Sequence, residues 1–348
     1  MILAACGLAN RESLLCQTAS RQSGKETMKA IRVPQFGGPE VLKLEEIPDP
    51  KPAPNQILVS LRAVGINPVE TYIRAGTYPL KPPLPYTPGT DAAGVIESVG
   101  GEVDRFKPGD RVWVGNTADV SLGTYAQKTL CNPNQVFPLP GKLSFQQGAA
   151  VNVPYITAYH ALFQVASAIA GETVLVHGAT GGVGLAAVQL ASSRGLTVIG
   201  TGGTEEGRKL VKDQGASHVL DHTQPDYLDE IMKITNGKGV DVICEMLANK
   251  NLAKDLTLLA KRGRVAIIGS RGKIEIDPRD LMKSHGKALG VSPGTESERA
   301  ESTAAVSAGL FAGFLNPIVD QEYPLAEASK AHEEIMANGS KGKIVLIP

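Results

Sequence analysis

The run from Val174 to Ala191, VLVHGATGGVGLAAVQLA, places four glycines within seven residues between an apolar stretch and a helix-like pattern. That pattern is suited to holding an anion. A strand ending at His177, a tight turn and a helix starting near Gly182 would aim backbone amides at a pyrophosphate, and residues without side chains let a phosphate approach the main chain. Set against G-x-G-x-x-G, the three positions are Ala179, Gly181 and Gly184, with alanine at the first. Glycine turns between strand and helix also occur for packing alone. Here the strand before, the helix after and a second strand about 20 residues on supply the dinucleotide-binding context.

The end of that second strand reads IGTGGTEEGRK, with Gly202 where NAD-binding folds place an acid for the ribose 2′-hydroxyl. A 2′-phosphate is therefore not repelled, and Arg208 and Lys209 stand close enough in sequence to pair with it. Glu205 and Glu206 lie between, and the other reading puts both basic residues on a solvated helix face. The balance favours NADPH.

The elements that must position this loop divide the chain into parts. Residues 1–27 carry Arg11, Arg21 and Lys25 with few acids, so a mitochondrial targeting segment and an unstructured leader are both open, and with them a mitochondrial or a cytoplasmic location. Residues 28–150 hold short β-type runs (30–33, 56–64, 94–99, 111–114, 123–129) broken by PDPKPAPN and YPLKPPLPYTPG, which predicts a mostly β domain. Residues 151–315 alternate strand and helix, with strands at 173–177, 197–201, 218–220, 240–245 and 264–269. Alternation predicts an α/β, doubly wound parallel sheet. Residues 316–348 read as strand 317–319, helix 325–338 and strand 343–347, returning to the first domain.

Lys+Arg and Asp+Glu number 35 each, so no overall field draws nucleic acid or an anionic membrane. Cys6, Cys16, Cys131 and Cys244 form no C-x-x-C pair, which argues against a disulfide scaffold and a thiolate-rich metal site. No apolar run approaches the roughly 20 residues needed to span a bilayer.

Nine blocks stand in consistent order: FGGPEVLKL, GINPVETYIRAGTYP, LPYTPGTDAAGVIESVG, FKPGDRVW, VHGATGGVGLAAVQLA, GTGGTEEG, EMLANKNL, GSRGKIEIDPRD and KGKIVL. Through them the chain, over nearly all of Met28 to Pro348, resembles the zinc-independent quinone oxidoreductases of the medium-chain dehydrogenase/reductase superfamily. The resemblance implies a GroES-like β domain and a Rossmann domain with the active site in the cleft between them. It also implies a homo-oligomer, dimer or tetramer, and for some members AU-rich RNA binding or a bulk role in the lens. Zinc-dependent relatives carry Cys in a G-x-C segment and His in G-H-E, whereas this chain reads Gly65-Ile66-Asn67 and Gly89-Thr90-Asp91. Neither Asn67 nor Thr90 is a good zinc ligand, so no metal is expected.

By the same resemblance Tyr72 and Tyr78 would border nicotinamide and quinone, and Asn67 would offer its amide to a carbonyl oxygen as negative charge develops. Ordinary packing for the tyrosines and a turn cap for Asn67 are the other readings. Cofactor contacts carry over onto Thr180, Gly181, Gly182, Val183, Gly203, His222, Asn251, Ile268, Gly269, Ser270, Arg271, Val291, Ser292 and Pro293. Asn251 read as a helix cap and His222 as a surface residue are alternatives. Pro293 falls in a segment that often forms an edge strand for subunit pairing, where it would remove a donor. NADPH-dependent reduction of quinones, ortho-quinones favoured, is the expected activity. A one-electron route to semiquinone, which needs no proton donor from the protein, stays open. So does an enoyl-type reductase acting on an activated C=C bond.

Overall fold

The computed structural model describes residues 26–337 and 339–348, so all but the last two residues of the expected leader lie outside the described residues, as do Cys6 and Cys16. Among the described residues the two largest apolar cores are centred one on each half, with Ala93 and Trp113 of the first half reaching into the second core. Ile57, Val59, Ile96, Val112 and Ile344 belong to the first, and Val174, Val176, Leu185, Val188 and Val242 to the second.

The first core is enclosed by a seven-stranded sheet. Its path runs Val319–Pro324, Lys343–Ile347, Ile57–Gly65, Asp91–Val99, Arg111–Val114 and Val136–Pro138, and Lys128–Cys131 pairs beside Ile57–Gly65. A hairpin of Thr27–Arg32 and Lys43–Pro48 lies apart from it. Lys343–Ile347 pairs antiparallel with Ile57–Gly65 and parallel with Val319–Pro324, so the end of the chain completes the sheet begun near its start.

The second core packs on one face of a six-stranded parallel sheet and a further cluster, with Leu175, Ile199 and Ile243, on the other; the strand order is His218–Leu220, Thr197–Thr201, Thr173–Val176, Val240–Glu245, Leu259–Ile267 and Lys287–Gly290. This is the dinucleotide-binding order, with the direction of winding reversing between Thr173–Val176 and Val240–Glu245, where ligands bind. Helix Gly182–Ser193 is buried on every residue from Gly184 to Ala191, because it is sandwiched between the sheet and helix Asn152–Tyr159. Among the described residues no helix is long and apolar enough to cross a membrane.

Several elements depart from expectation. The strand expected at 123–129 is Lys128–Cys131, and the one at 317–319 is Val319–Pro324. The helix expected at 325–338 is a 3-10 turn, Leu325–Glu327, followed by Ala328–Glu334. Helix Pro68–Arg74 was not expected; proline at its first position and Glu70 accepting the Asn67 amide at 2.7 Å start it. Edge strand Lys287–Gly290 ends before Pro293, whose missing N–H therefore takes nothing from the ladder.

Candidate active site

A cavity of about 1110 Å³ opens between the two sheets. One wall is the Rossmann side: Gly181, Gly182 and Val183 of the glycine loop, then Ile268, Gly269, Ser270 and Arg271, then Val291, Ser292 and Pro293. The other wall carries Asn67, Tyr72 and Tyr78. The Tyr72 hydroxyl accepts from Arg271 Nε at 3.2 Å, joining the walls across the cleft. The tail joins in as well, since Gly342 makes a β-bridge with Gly181 and Lys343 lines the cavity.

The loop glycines do different work. A Cβ on Gly184 would lie 2.4 Å from the Gly178 carbonyl oxygen, so this glycine lets helix and strand close on each other. A Cβ on Gly181 would meet only that same oxygen, at 3.6 Å, so its space belongs to the cavity.

Four of the remaining expected contacts, Thr180, Gly203, Arg208 and His222, gather at the end of strand Thr197–Thr201, outside the cavity lining. A Cβ on Gly202 would lie 3.0 Å from Thr180 Cγ2, and one on Gly203 would lie 3.4 Å from the His222 ring. Arg208 Nη1 donates to the Gly202 carbonyl at 3.2 Å and to Asp221 Oδ2 at 2.8 Å, which puts its guanidinium where NAD-binding folds keep an acid. Lys209 does not join this group: its Nζ pairs with Asp213 at 2.7 Å one turn along on the solvent face. Asn251 sits inside helix Ala248–Leu258, with Leu247 at the cap position, and donates to Glu245 Oε1 at 3.2 Å. Its amide is therefore neither a helix cap nor part of the cavity lining.

The expected role of Asn67 as a free donor needs correction. Its Nδ2 donates to Glu70 Oε1 at 3.2 Å and Asp91 Oδ2 at 3.0 Å, and its Oδ1 accepts from Lys343 Nζ. No N–H remains for a ligand. The cation of this floor is Lys343, 4% exposed, whose ammonium lies 2.7 Å from Asp91 Oδ2. Asp91 is fully buried and also accepts from Asn152 Nδ2 at 2.9 Å and the Val153 amide at 3.2 Å.

Behind the floor the bonds have a defined direction. Arg74 has only donors, so His332 Nδ1 accepts from Arg74 Nη1 at 3.1 Å. His332 Nε2 then carries the proton and donates to the Tyr125 hydroxyl at 2.9 Å, which donates to Glu70 Oε2 at 2.7 Å. Burial and the neighbouring Arg74 push the His332 pKa down to about 3, consistent with a neutral ring. Burial first and then Asp91 raise the Glu70 carboxyl to about 7, while Lys343 and the donated hydrogen bonds pull the other way.

Beneath the glycine loop lies a second buried cluster. His177 Nε2 is 2.8 Å from Asp255 Oδ1 and 3.7 Å from Glu245 Oε2, and the three donor atoms lie within 4.8 Å of one another. Among the described residues Glu245 Oε2 and Asp255 Oδ2 have no hydrogen-bond partner. Burial raises Glu245 to about 7, opposed by His177. Two facing carboxylates with orphaned oxygens are satisfied by one retained proton.

Matches to known proteins agree with this arrangement. Residues 53–141 match the alcohol dehydrogenase GroES-like domain and 182–308 the zinc-binding dehydrogenase model. The human quinone oxidoreductase is 50% identical over 329 residues, 93% of this chain and 99% of that protein. Among solved structures, an NAD-dependent alcohol dehydrogenase superposes with a TM-score of 0.87 at 28% identity, covering 92% of this chain and 100% of that one. A mycobacterial protein complexed with NADPH gives 0.81 at 30% identity, with 92% and 100% covered. Fold and cleft define an oxidoreductase of the medium-chain dehydrogenase/reductase type. Within that class the chain belongs to the quinone oxidoreductases, the zeta-crystallin branch.

Zinc, which the second model's description implies, does not fit the cleft. An amide and a hydroxyl, Asn67 and Thr90, stand at the ligand positions, and the Lys343 ammonium already occupies the Asn67 oxygen. A dinucleotide does fit: the open space at Gly181 leaves room at the helix start for its pyrophosphate, and Gly202 stands where an acid would meet its ribose.

Proposed function

We propose that the protein reduces quinones with NADPH and without a catalytic metal, ortho-quinones being favoured. The carrying observation is one continuous cavity bounded on one side by the glycine loop and on the other by Tyr72, Tyr78 and the Lys343 floor. In this reading residues 151–315 hold the cofactor, and residues 28–150 with 316–348 form the substrate side.

Bound NADPH supplies the hydride. Gly181, Gly182 and Val183 line the wall that would hold its pyrophosphate, and Arg208, beside Gly202, supports the 2′-phosphate over a 2′-hydroxyl. Tyr72 and Tyr78 offer ring faces to a flat substrate. Lys343, in place of a metal, would supply positive charge toward a quinone oxygen as it gains electron density, and a fixed, buried cation acts strongly.

The test is oxidation of NADPH and NADH by EDTA-treated protein, with 9,10-phenanthrenequinone and crotonyl-CoA supplied in parallel. Consumption of NADPH with the quinone alone is the expected result. Reduction of the thioester alone would replace the assignment with an enoyl-type reductase on the same scaffold.

A further inference from the structure

Two-electron reduction of a quinone consumes one hydride and one proton, and the cofactor supplies only the first. The cavity floor holds one side chain built to supply the second. Glu70 lines the cavity, is 4% exposed, and receives three hydrogen bonds: from the Asn67 amide at 2.7 Å, from Asn67 Nδ2 at 3.2 Å and from the Tyr125 hydroxyl at 2.7 Å. These donors would hold a carboxylate in place once a proton has left. Burial and the Asp91 carboxylate favour the protonated form before it leaves. An acid balanced between its two states near neutral pH is suited to proton transfer.

Resting on the quinone-reductase reading of the cavity, we propose that Glu70 is the general acid that protonates the reduced quinone oxygen, held in register by the Arg74–His332–Tyr125 chain. The O–H bond of the Glu70 carboxyl breaks as an O–H bond forms on the quinone oxygen. With the hydride from the nicotinamide, the product is the hydroquinone, the cofactor is left oxidised and Glu70 is left as a carboxylate. A solvent proton entering through the cavity restores the carboxyl after product leaves.

Lys343 is the other proton-bearing group of the floor. Giving up its proton would leave the fully buried Asp91 carboxylate without a counter-charge, which is costly. The chain behind Glu70 ends on Arg74, which does not deprotonate, so that chain orients the acid and does not feed it. The groups that set Glu70's titration are Asp91 and Lys343 on neighbouring strands and Tyr125 behind it, with Tyr86 and Arg74 near enough to sense it or its partners.

Glu70→Gln is the discriminating change, since glutamine serves equally at the third position of a capping box and the helix start is retained. The expected result is NADPH affinity within about twofold of wild type by fluorescence, with kcat at pH 6 lowered by about 100-fold. The wild-type decline in kcat above about pH 7 should be absent in the variant. Tyr125→Phe removes a donor to the carboxylate and should move that decline to higher pH. Infrared difference spectra provide a readout independent of turnover: wild type minus Glu70→Gln should show a protonated-carboxyl band at pH 6 that is lost by pH 8.5. A Glu70→Gln enzyme with normal kcat, or with lowered kcat and an unmoved pH profile, overturns the proposal. So does a missing band. If wild type itself oxidises no NADPH with any quinone, the functional reading fails, and the infrared titration still decides whether Glu70 holds its proton.

Discussion

The two walls of the cleft are built on different physical terms. The Rossmann wall draws on three segments, 181–183, 268–271 and 291–293, and at its glycine loop what matters is the space left where Gly181 has no side chain. The opposite floor is side chain: Asn67, Glu70, Asp91 and Lys343, all buried, with the Lys343–Asp91 ion pair at its centre and hydrogen bonds joining the rest. A backbone site tolerates change as long as space is kept. A buried ionic site tolerates change only as long as charge is matched.

The strongest challenge to that contrast is Lys343→Met. It leaves Asp91 as an uncompensated buried charge and should cost about 3–5 kcal/mol in urea unfolding. Adding Asp91→Asn should recover most of the loss. Recovery failing in the double variant would mean that Lys343 acts through packing.

Next in size is Gly181→Leu. Its side chain enters the cavity, so NADPH affinity should fall at least about 100-fold, roughly 2.7 kcal/mol, with the urea midpoint unchanged. Gly184→Val should do the opposite and lower the midpoint, because its Cβ would lie 2.6 Å from Ala179 Cα. Equal behaviour of the two variants would remove the distinction between ligand space and packing space.

Arg208→Ala should weaken NADPH about tenfold and leave NADH unchanged, in keeping with loss of one charge-assisted contact. Equal weakening of both cofactors would assign Arg208 to its Asp221 pair alone.

A smaller effect is written in pH. Glu70 and Glu245 hold their protons to about pH 7 in the folded chain, against an ordinary value of 4.5. The folded state thus binds more protons than the unfolded one between these values, and stability falls as pH rises through that window. Glu70→Gln and Glu245→Gln should each flatten the decline, by at most about 1.4 kcal/mol per pH unit. Smallest of all, Tyr72→Ala should lower quinone turnover a few-fold more than it weakens NADPH binding, as separate titrations would show.

How much was legible follows from the same contrast. The glycine loop, the strand before it and the helix after it are local in sequence, so their pattern predicted both the doubly wound sheet and the wall it presents. The floor draws on residues 67, 70, 91, 332 and 343, and each has an unremarkable local reading. The helix that begins after Asn67 was not expected, and its Glu70 turns inward instead of out to solvent. Arg208 and Lys209 are neighbours in sequence but point in different directions on one helix, and the Lys209–Asp213 spacing of four was the available sign that the lysine belonged to the surface. The Asn67 amide looked free because two of its partners, Asp91 and Lys343, are brought to it from distant segments.

That pairing also orders the protein's birth on the ribosome. All six strands of the parallel sheet, Thr173 to Gly290, emerge in one continuous stretch and can assemble while translation continues. Ile57–Gly65, made much earlier, must wait for Lys343–Ile347 to take its place beside it. The same late segment carries the Lys343 ammonium, so the cation of the cavity floor is made long after the Asn67 and Asp91 that hold it.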